Sequence, residues 1–360
     1  MSSTCKMVLF IVPRYEGGGA ERNIIILATA LHRRGRNVML IGLLENDPWP
    51  GELPSFGLGA PRISASAPAL QRVIAQWKPK AVVSTLKHVS ILVAILHVWN
   101  GRRFKHVVRV ANTYTQELLH YRAFKRLLWN AAIRFVHATA NQTVCVSDGV
   151  RRDLAHYSRR RTLTIPNPVD VASIDAAVSE GPLLGGCGHS FILAVGRLSR
   201  QKNYSLLIRA FAVLRRQMTD VQLVILGEGP ERTRLEELIR EQDLATAVHL
   251  KGWVSNPYPY YRAADAFALS SDFEGMPNVI LEALAFDLPV VSTDCPSGPR
   301  EILTSPDLGY LVPCGNEISF AAALIQALRQ KKVGTRRAHV MRRFGAAEVV
   351  SQYDEVIFND

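Results

Sequence analysis

The chain predicts an α/β protein built from two doubly wound, parallel-sheet domains. Three observations lead there. Short, unbroken apolar runs alternate with amphipathic segments, the alternation occurs twice, and a Gly-rich stretch without periodicity separates the two rounds. Continuous apolar strands are those buried on both faces, and they imply helices packed on both sides of a parallel sheet. At 360 residues the chain exceeds one ordinary core and suits two domains.

In the first round MVLFIV (Met7 to Val12) is the first buried strand. Lys6 precedes it, but the run is too short for a secretory signal and lacks a small-residue cleavage site. The amphipathic segment Glu21 to Arg34 follows, then strands at NVMLIG (Asn37 to Gly42), AVVST (Ala81 to Thr85) and HVVRV (His106 to Val110). QTVCVS (Gln142 to Ser147) and TLTIPNPVD (Thr162 to Asp170) close this domain, placed at residues 1–176. Residues 177–190, containing GPLLGGCGHS, are the linker.

The second domain, residues 191–335, opens with FILAVG (Phe191 to Gly196) and the helix Ser205 to Arg216. VQLVILG, the helix Glu231 to Glu241, AVHLKG, AFALSS, a helix after Pro277 and PVVSTD complete the alternation. Residues 336–360 are expected to be helical and to return to the first domain. Open parallel sheets bind ligands at the carboxyl ends of their strands, so two in tandem predict a ligand cleft between them.

Composition narrows the chemistry. Five scattered cysteines, with no C-x-x-C pair, argue against a disulfide framework or a zinc site and for a reducing cytoplasm. The apolar run Val89 to Trp99 is too short to span a bilayer. The net charge of +12 is uneven: residues 1–170 hold 24 Lys and Arg against 9 Asp and Glu, and residues 171–360 hold 19 against 22.

Within EGMPNVILE, Glu274 and Glu282 stand eight positions apart where a loop turns into a helix. At two helical turns they can line one side of one pocket, and the helix mouth offers free N–H groups to an anion. A hydroxyl-bearing anion such as a sugar nucleotide fits that description; a solvated helix face is the plain alternative. Arg197 and Lys202 follow a buried strand at a turn before a helix, where two cations can neutralise a pyrophosphate. Gly17, Gly18 and Gly19 separate the first strand from the first helix, and their bare N–H groups suit a diphosphate. GGGAER lacks the G-x-G-x-x-G spacing, which disfavours NAD.

Five segments in order, GGGAERNI (Gly17 to Ile24), IPNPVD (Ile165 to Asp170), VGRLSRQKN (Val195 to Asn203), LGEGPER (Leu226 to Arg232) and EGMPNVILEALA (Glu274 to Ala285), resemble the retaining glycosyltransferases of family 4. That resemblance implies the GT-B architecture, with two Rossmann-like domains facing a cleft. It implies that Arg197 and Lys202 hold the donor diphosphate and that Glu282 binds the ribose hydroxyls. Glu274 is implied to hold donor-sugar hydroxyls near the reacting carbon, with backbone donors from the loop that Gly275, Met276, Pro277 and Asn278 form, Pro277 itself having no N–H. The base is implied to rest near Gly252 to Val254, and Gly18 and Gly19 to serve the donor from the first domain. SGPREIL (Ser297 to Leu303) is similar to members using UDP-hexoses or UDP-N-acetylhexosamines.

The chain departs from the family pattern in one place. Ala111 and Asn112 stand where a first-domain histidine is often found, and His88 is the nearest substitute. The resemblance implies a transfer in which the leaving phosphate activates the acceptor, so the departure touches the base and not the donor site. No D-x-D pair ends a strand, since Asp265 and Asp272 are too far apart, so neither a metal nor a resident cofactor is expected.

The basic surplus includes a basic amphipathic run from Tyr121 to His137, the type drawn to anionic lipid. Nucleic acid could use the same charge. Beside a sugar-nucleotide site, a glycan or polyprenyl-linked acceptor explains it better, and no nucleic acid is expected. The resulting expectation is a cytoplasmic enzyme, peripheral on the inner face of the plasma membrane, that builds bacterial surface polysaccharide or lipopolysaccharide. The rivals are a sugar-nucleotide epimerase or phosphorylase of the same architecture, and a non-enzymatic nucleic-acid-binding protein.

Overall fold

A computed structural model describes residues 7–119, 121–179, 190–330, 332 and 334–359. The chain forms two compact units, Met1–Pro168 with Ala346–Asp360, and Val169–Gly345. In the first unit β1 (Val8–Val12), β2 (Val38–Gly42), β3 (Ser55–Gly57), β4 (Ala81–Thr85), β5 (Lys105–Val110), β6 (Gln142–Cys145) and β7 (Leu163–Thr164) form one parallel sheet in the order β3-β2-β1-β4-β5-β6-β7. In the second, β8 (Phe191–Val195), β9 (Gln222–Leu226), β10 (Val248–Gly252), β11 (Ala266–Leu269), β12 (Val290–Thr293) and β13 (Gly309–Val312) run in parallel as β10-β9-β8-β11-β12-β13.

Each sheet is doubly wound, because its first strand lies beside its fourth. Leu9 of β1 registers with Val82 of β4, and Leu193 of β8 with Phe267 of β11. The strand order reverses at these pairs, which is where open α/β sheets open a crevice at their carboxyl ends.

The apolar strands feed layers on both faces. Val8, Phe10 and Val12 pack with Ile24, Leu27 and Leu31, whereas Leu9 and Ile11 pack with Leu70, Ile74, Val89 and Val93. That alternation is the period of two of a strand buried on both sides. In the second unit Ile192 and Ala194 share a core with Leu207, Phe211 and Leu324.

The C-terminal stretch is two helices rather than one. Thr335–Phe344 belongs to the second unit, and Ala346–Phe358 belongs to the first, where Val349, Val350, Tyr353 and Ile357 enter its core. Arg36 grips Asp354 with two hydrogen bonds of 2.7 and 2.5 Å, and Arg34 donates to Ser351 and Ala347. The dividing points also differ from residues 176 and 336. The helix Val171–Ser179 joins the second unit, where Arg337 pairs with Asp175 and Asn256 donates to the Ala177 carbonyl. Most of the expected linker, residues 180–189, lies outside the described residues. No helix among the described residues is long and apolar enough to cross a membrane.

Candidate active site

The chemistry-bearing residues of the second unit collect where its strand order reverses. After β8 the chain runs through Gly196, Arg197 and a 3-10 turn, Arg200–Lys202; after β11 it runs through Ser270 to Pro277 into the helix Asn278–Ala285. The two loops are zipped together. The Asp272 amide donates to the Gln201 carbonyl at 2.8 Å, the Gln201 side chain donates to the Phe273 carbonyl at 2.8 Å, and Ser270 Oγ donates to the Lys202 carbonyl at 2.8 Å.

At the centre Lys202 Nζ meets Glu274 Oε1 at 2.6 Å, and Ser271 Oγ donates to the same oxygen at 2.6 Å. Glu274 is 7% exposed, so its charge relies on these two donors instead of bulk water. Its negative charge reaches its neighbours: Tyr204 and Cys295 titrate well above their ordinary values, first because they are buried and second because that charge opposes ionisation. Arg197 is exposed on the same turn as Lys202, beside Gly196, whose φ of +154° suits glycine.

A second strap holds that turn. The Gly196 amide donates to the Leu226 carbonyl, and Leu198 exchanges backbone bonds with Glu228 and Glu231. A Cβ on Gly227 would sit 2.0 Å from the Gly196 carbonyl oxygen, and one on Gly229 would sit 2.3 Å from that of Leu198. The glycines of LGEGPER therefore let two backbones touch beneath Arg197 and Lys202. Gly252 ends β10 at φ +79°, with the Gly227 amide donating to its carbonyl; Val254 follows it, half-buried.

Gly275, Met276 and Pro277 are buried in the loop after Glu274, and Asn278 is half-buried at the start of its helix. No side chain caps that helix N-terminus. The loop is braced from SGPREIL: Ser297 Oγ donates to the Gly275 carbonyl at 3.0 Å, and Gly298, at φ +90°, packs against Pro277 and Gly275. Glu282 lies on the helix itself and accepts from the buried Tyr261 hydroxyl at 3.0 Å. The two carboxylates are thus held by separate partners, and Glu274 sits in the loop ahead of the helix, so helical pitch does not relate them.

The first unit carries the remaining candidates at its own reversal point. Gly18 caps the helix Gly19–Arg33 in extended backbone, and Gly17 to Gly19 are exposed. None of the three has a positive φ, so they form no left-handed turn, and a Cβ on Gly17 would meet the Glu21 side chain at 2.6 Å. After β4, Leu86 adopts φ +63°, an uncommon conformation for a bulky residue, and leads into the helix Lys87–Trp99. His88 is exposed at its surface and meets Trp129 edge-on at 4.8 Å; the partial desolvation by its neighbours, then the Lys87 charge, lowers its pKa. Lys87 pairs with Glu117 at 2.6 Å and lies over the Trp129 and Tyr121 rings. Asn112 accepts a hydrogen bond from the Thr113 amide. His88 and the glycine loop belong to a different unit from Arg197, Lys202, Glu274 and Glu282.

Sequence reasoning missed Ser271, Gln201 and Tyr261. Ser271 and Gln201 lie next to motif residues, at Glu274 minus three and Lys202 minus one, so proximity was the available signal. Tyr261, 21 positions from Glu282, had none. No group of three or more His, Cys, Asp or Glu side chains among the described residues is arranged to hold a metal.

Residues 188–345 match the model of the glycosyl transferases group 1, and residues 17–173 match that of glycosyltransferase family 4. A Campylobacter jejuni 4-alpha-N-acetylgalactosaminyltransferase acting on an N-acetylgalactosamine-N,N'-diacetylbacillosaminyl-diphospho-undecaprenol is 37% identical over 213 residues, 58% of this chain and 57% of that one. A lipopolysaccharide core biosynthesis glycosyltransferase of Rhizobium meliloti is 24% identical over 343 residues, 93% and 94% of the two chains. The crystal structure of Anabaena HepE with UDP and glucose superposes with a TM-score of 0.79 at 18% identity, covering 98% of this chain and 99% of that one. With both halves matched by these models and an uncharacterized glycosyltransferase of Haemophilus influenzae 31% identical over 311 residues, 86% of this chain and 87% of that one, the chain belongs to glycosyltransferase family 4.

Proposed function

We propose that the protein transfers a hexose or N-acetylhexosamine from a nucleoside diphosphate sugar, with UDP favoured, to a polyprenyl-linked glycan, with retention of anomeric configuration. The observation that carries the reading is the Lys202–Glu274 pair at the reversal point of the second sheet, beside the exposed Arg197. The pair is a rest state that a donor reorganises. The diphosphate draws Lys202 and Arg197, and Glu274, still held by Ser271, turns its acceptor capacity to sugar hydroxyls. Glu282 accepts from the ribose hydroxyls, the amides of Gly275, Met276 and Asn278 face the phosphates, and the base rests by Gly252 to Val254.

As the bond from C1 to the phosphate oxygen breaks, the two cations stabilise the charge left on the diphosphate. That phosphate takes the proton of the acceptor hydroxyl, which forms the new bond on the face just vacated. A departing phosphate that serves as base asks little of His88, at the first unit's reversal point, and Gly18 and Gly19 serve the donor from that same unit. No metal and no resident cofactor is needed, so chelation leaves the rate unchanged.

A polyprenyl-linked acceptor places the protein at the inner face of the plasma membrane, in surface polysaccharide or lipopolysaccharide assembly. The Campylobacter and Rhizobium relatives support that setting. The test is incubation with UDP-, GDP- and ADP-linked sugars and a polyprenyl-diphosphate oligosaccharide, followed by NMR of the new linkage. The expected product carries the donor's anomeric configuration. Turnover of the nucleotide sugar without a glycan acceptor would replace the reading with an epimerase or phosphorylase.

A further inference from the structure

The helix Ala123–Thr139 is apolar on two opposite sides. Ile133, Val136 and His137 face inward and are buried, as the core requires. Phe124, Leu127, Leu128 and Phe135 lie on the other side, 73%, 62%, 55% and 39% exposed. Their spacing places them on one stripe at 3.6 residues per turn. The helix Lys87–Trp99 packs alongside and adds Ile95, Val98 and Trp99, the last 79% exposed. Of twelve large apolar side chains exposed among the described residues, eight fall between residues 95 and 135. A patch this concentrated is uncommon on a soluble surface unless something covers it.

The charge around the patch identifies the cover. Between Glu52 and Asp148 the chain carries thirteen Lys and Arg and one acid, Glu117, which Lys87 already neutralises. Lys125 and Arg134 are exposed at the two edges of the Phe124–Phe135 stripe, and Arg102 and Arg103 follow Trp99. An apolar crest with an aromatic at its end and cations at its rim matches a bilayer interface: acyl chains take Phe124 and Leu128, and anionic headgroups take the rim. A second copy of the same face would set this cationic rim against itself.

We infer that the paired helices Lys87–Trp99 and Ala123–Thr139 form a docking face that inserts into anionic lipid. This deepens the lipid-linked acceptor reading by naming the surface that reaches the membrane, and it stands apart from the donor site. The experiment is co-sedimentation with phosphatidylcholine vesicles, with and without phosphatidylglycerol, while UDP binding is measured in parallel. The intact protein is expected to sediment only with the anionic vesicles, and less as salt rises. Phe124→Ser with Leu128→Ser, and separately Lys125→Glu with Arg134→Glu, should each weaken that binding by on the order of tenfold or more, given about fivefold per basic residue near the surface. Both should bind UDP as before, which shows that they fold. Trp99→Phe should remove most of the vesicle-induced blue shift in tryptophan emission. Variants that sediment like the wild type, or a wild-type dimer that both double variants dissolve, would overturn the inference; a wild type that sediments with anionic vesicles but binds no UDP would count against the donor site and not against the docking face.

Discussion

Glu274 concentrates the local consequences of the site. Glu274→Gln keeps the shape and the Ser271 contact but removes the charge that holds Lys202 at 2.6 Å. The transfer rate is expected to fall on the order of 10²–10³-fold, the usual cost of losing one charge-stabilising group, and initial-rate kinetics at saturating donor check it. Gly227→Ala tests the backbone strap. Its Cβ would press 2.0 Å from the Gly196 carbonyl at φ +142°, so a stability loss of about 1–3 kcal/mol and a weaker donor KM are expected, read by chemical denaturation and kinetics. Motif reading singled out Arg197, Lys202, Glu274 and Glu282 as candidates because charged residues leave a signature in the sequence. It could not foresee Tyr261, because a hydrogen bond across 21 residues is a product of packing.

At the scale of elements, the long buried strands were readable because a fully apolar run has few other places to go. β3, three residues with Phe56 exposed, and β13, four residues, were not anticipated; both are short edge strands. Nor was the helix Glu317–Arg329, which packs beside Tyr204–Arg215. The break between the last two helices at Gly345 was also missed. A Cβ there would lie 2.4 Å from the Met341 carbonyl, so glycine lets the chain pass close to the preceding helix before the next one starts. Tyr353, fully buried under the first sheet, tests that last helix: Tyr353→Ala should cost about 3–5 kcal/mol by urea titration, as truncation of a large core aromatic does.

For the whole molecule, the first unit's buried histidines predict acid sensitivity. His106 is held down to about 3 by burial and then by His97 and His137, and His137 is held down to about 4 by burial. His106 faces Ser84 Oγ at 2.9 Å and His137 faces Thr143 and Tyr114, so no carboxylate is there to accept a proton's charge. Both stay neutral in the fold yet protonate near 6.5 when unfolded. Their contribution is complete above that value and is lost as pH falls towards about 4 and about 3. Each group should contribute a slope of about 1.4 kcal/mol per pH unit within its window, so the denaturation midpoint should fall steeply between neutral pH and pH 5.

The central claim, that the second unit's reversal point holds a nucleoside diphosphate through Lys202 and Arg197, is tested most directly by calorimetric titration of UDP into the wild type and Lys202→Ala. The account predicts saturable one-to-one binding that the substitution weakens at least tenfold while the fold survives. UDP binding unaffected by loss of Lys202 would contradict it.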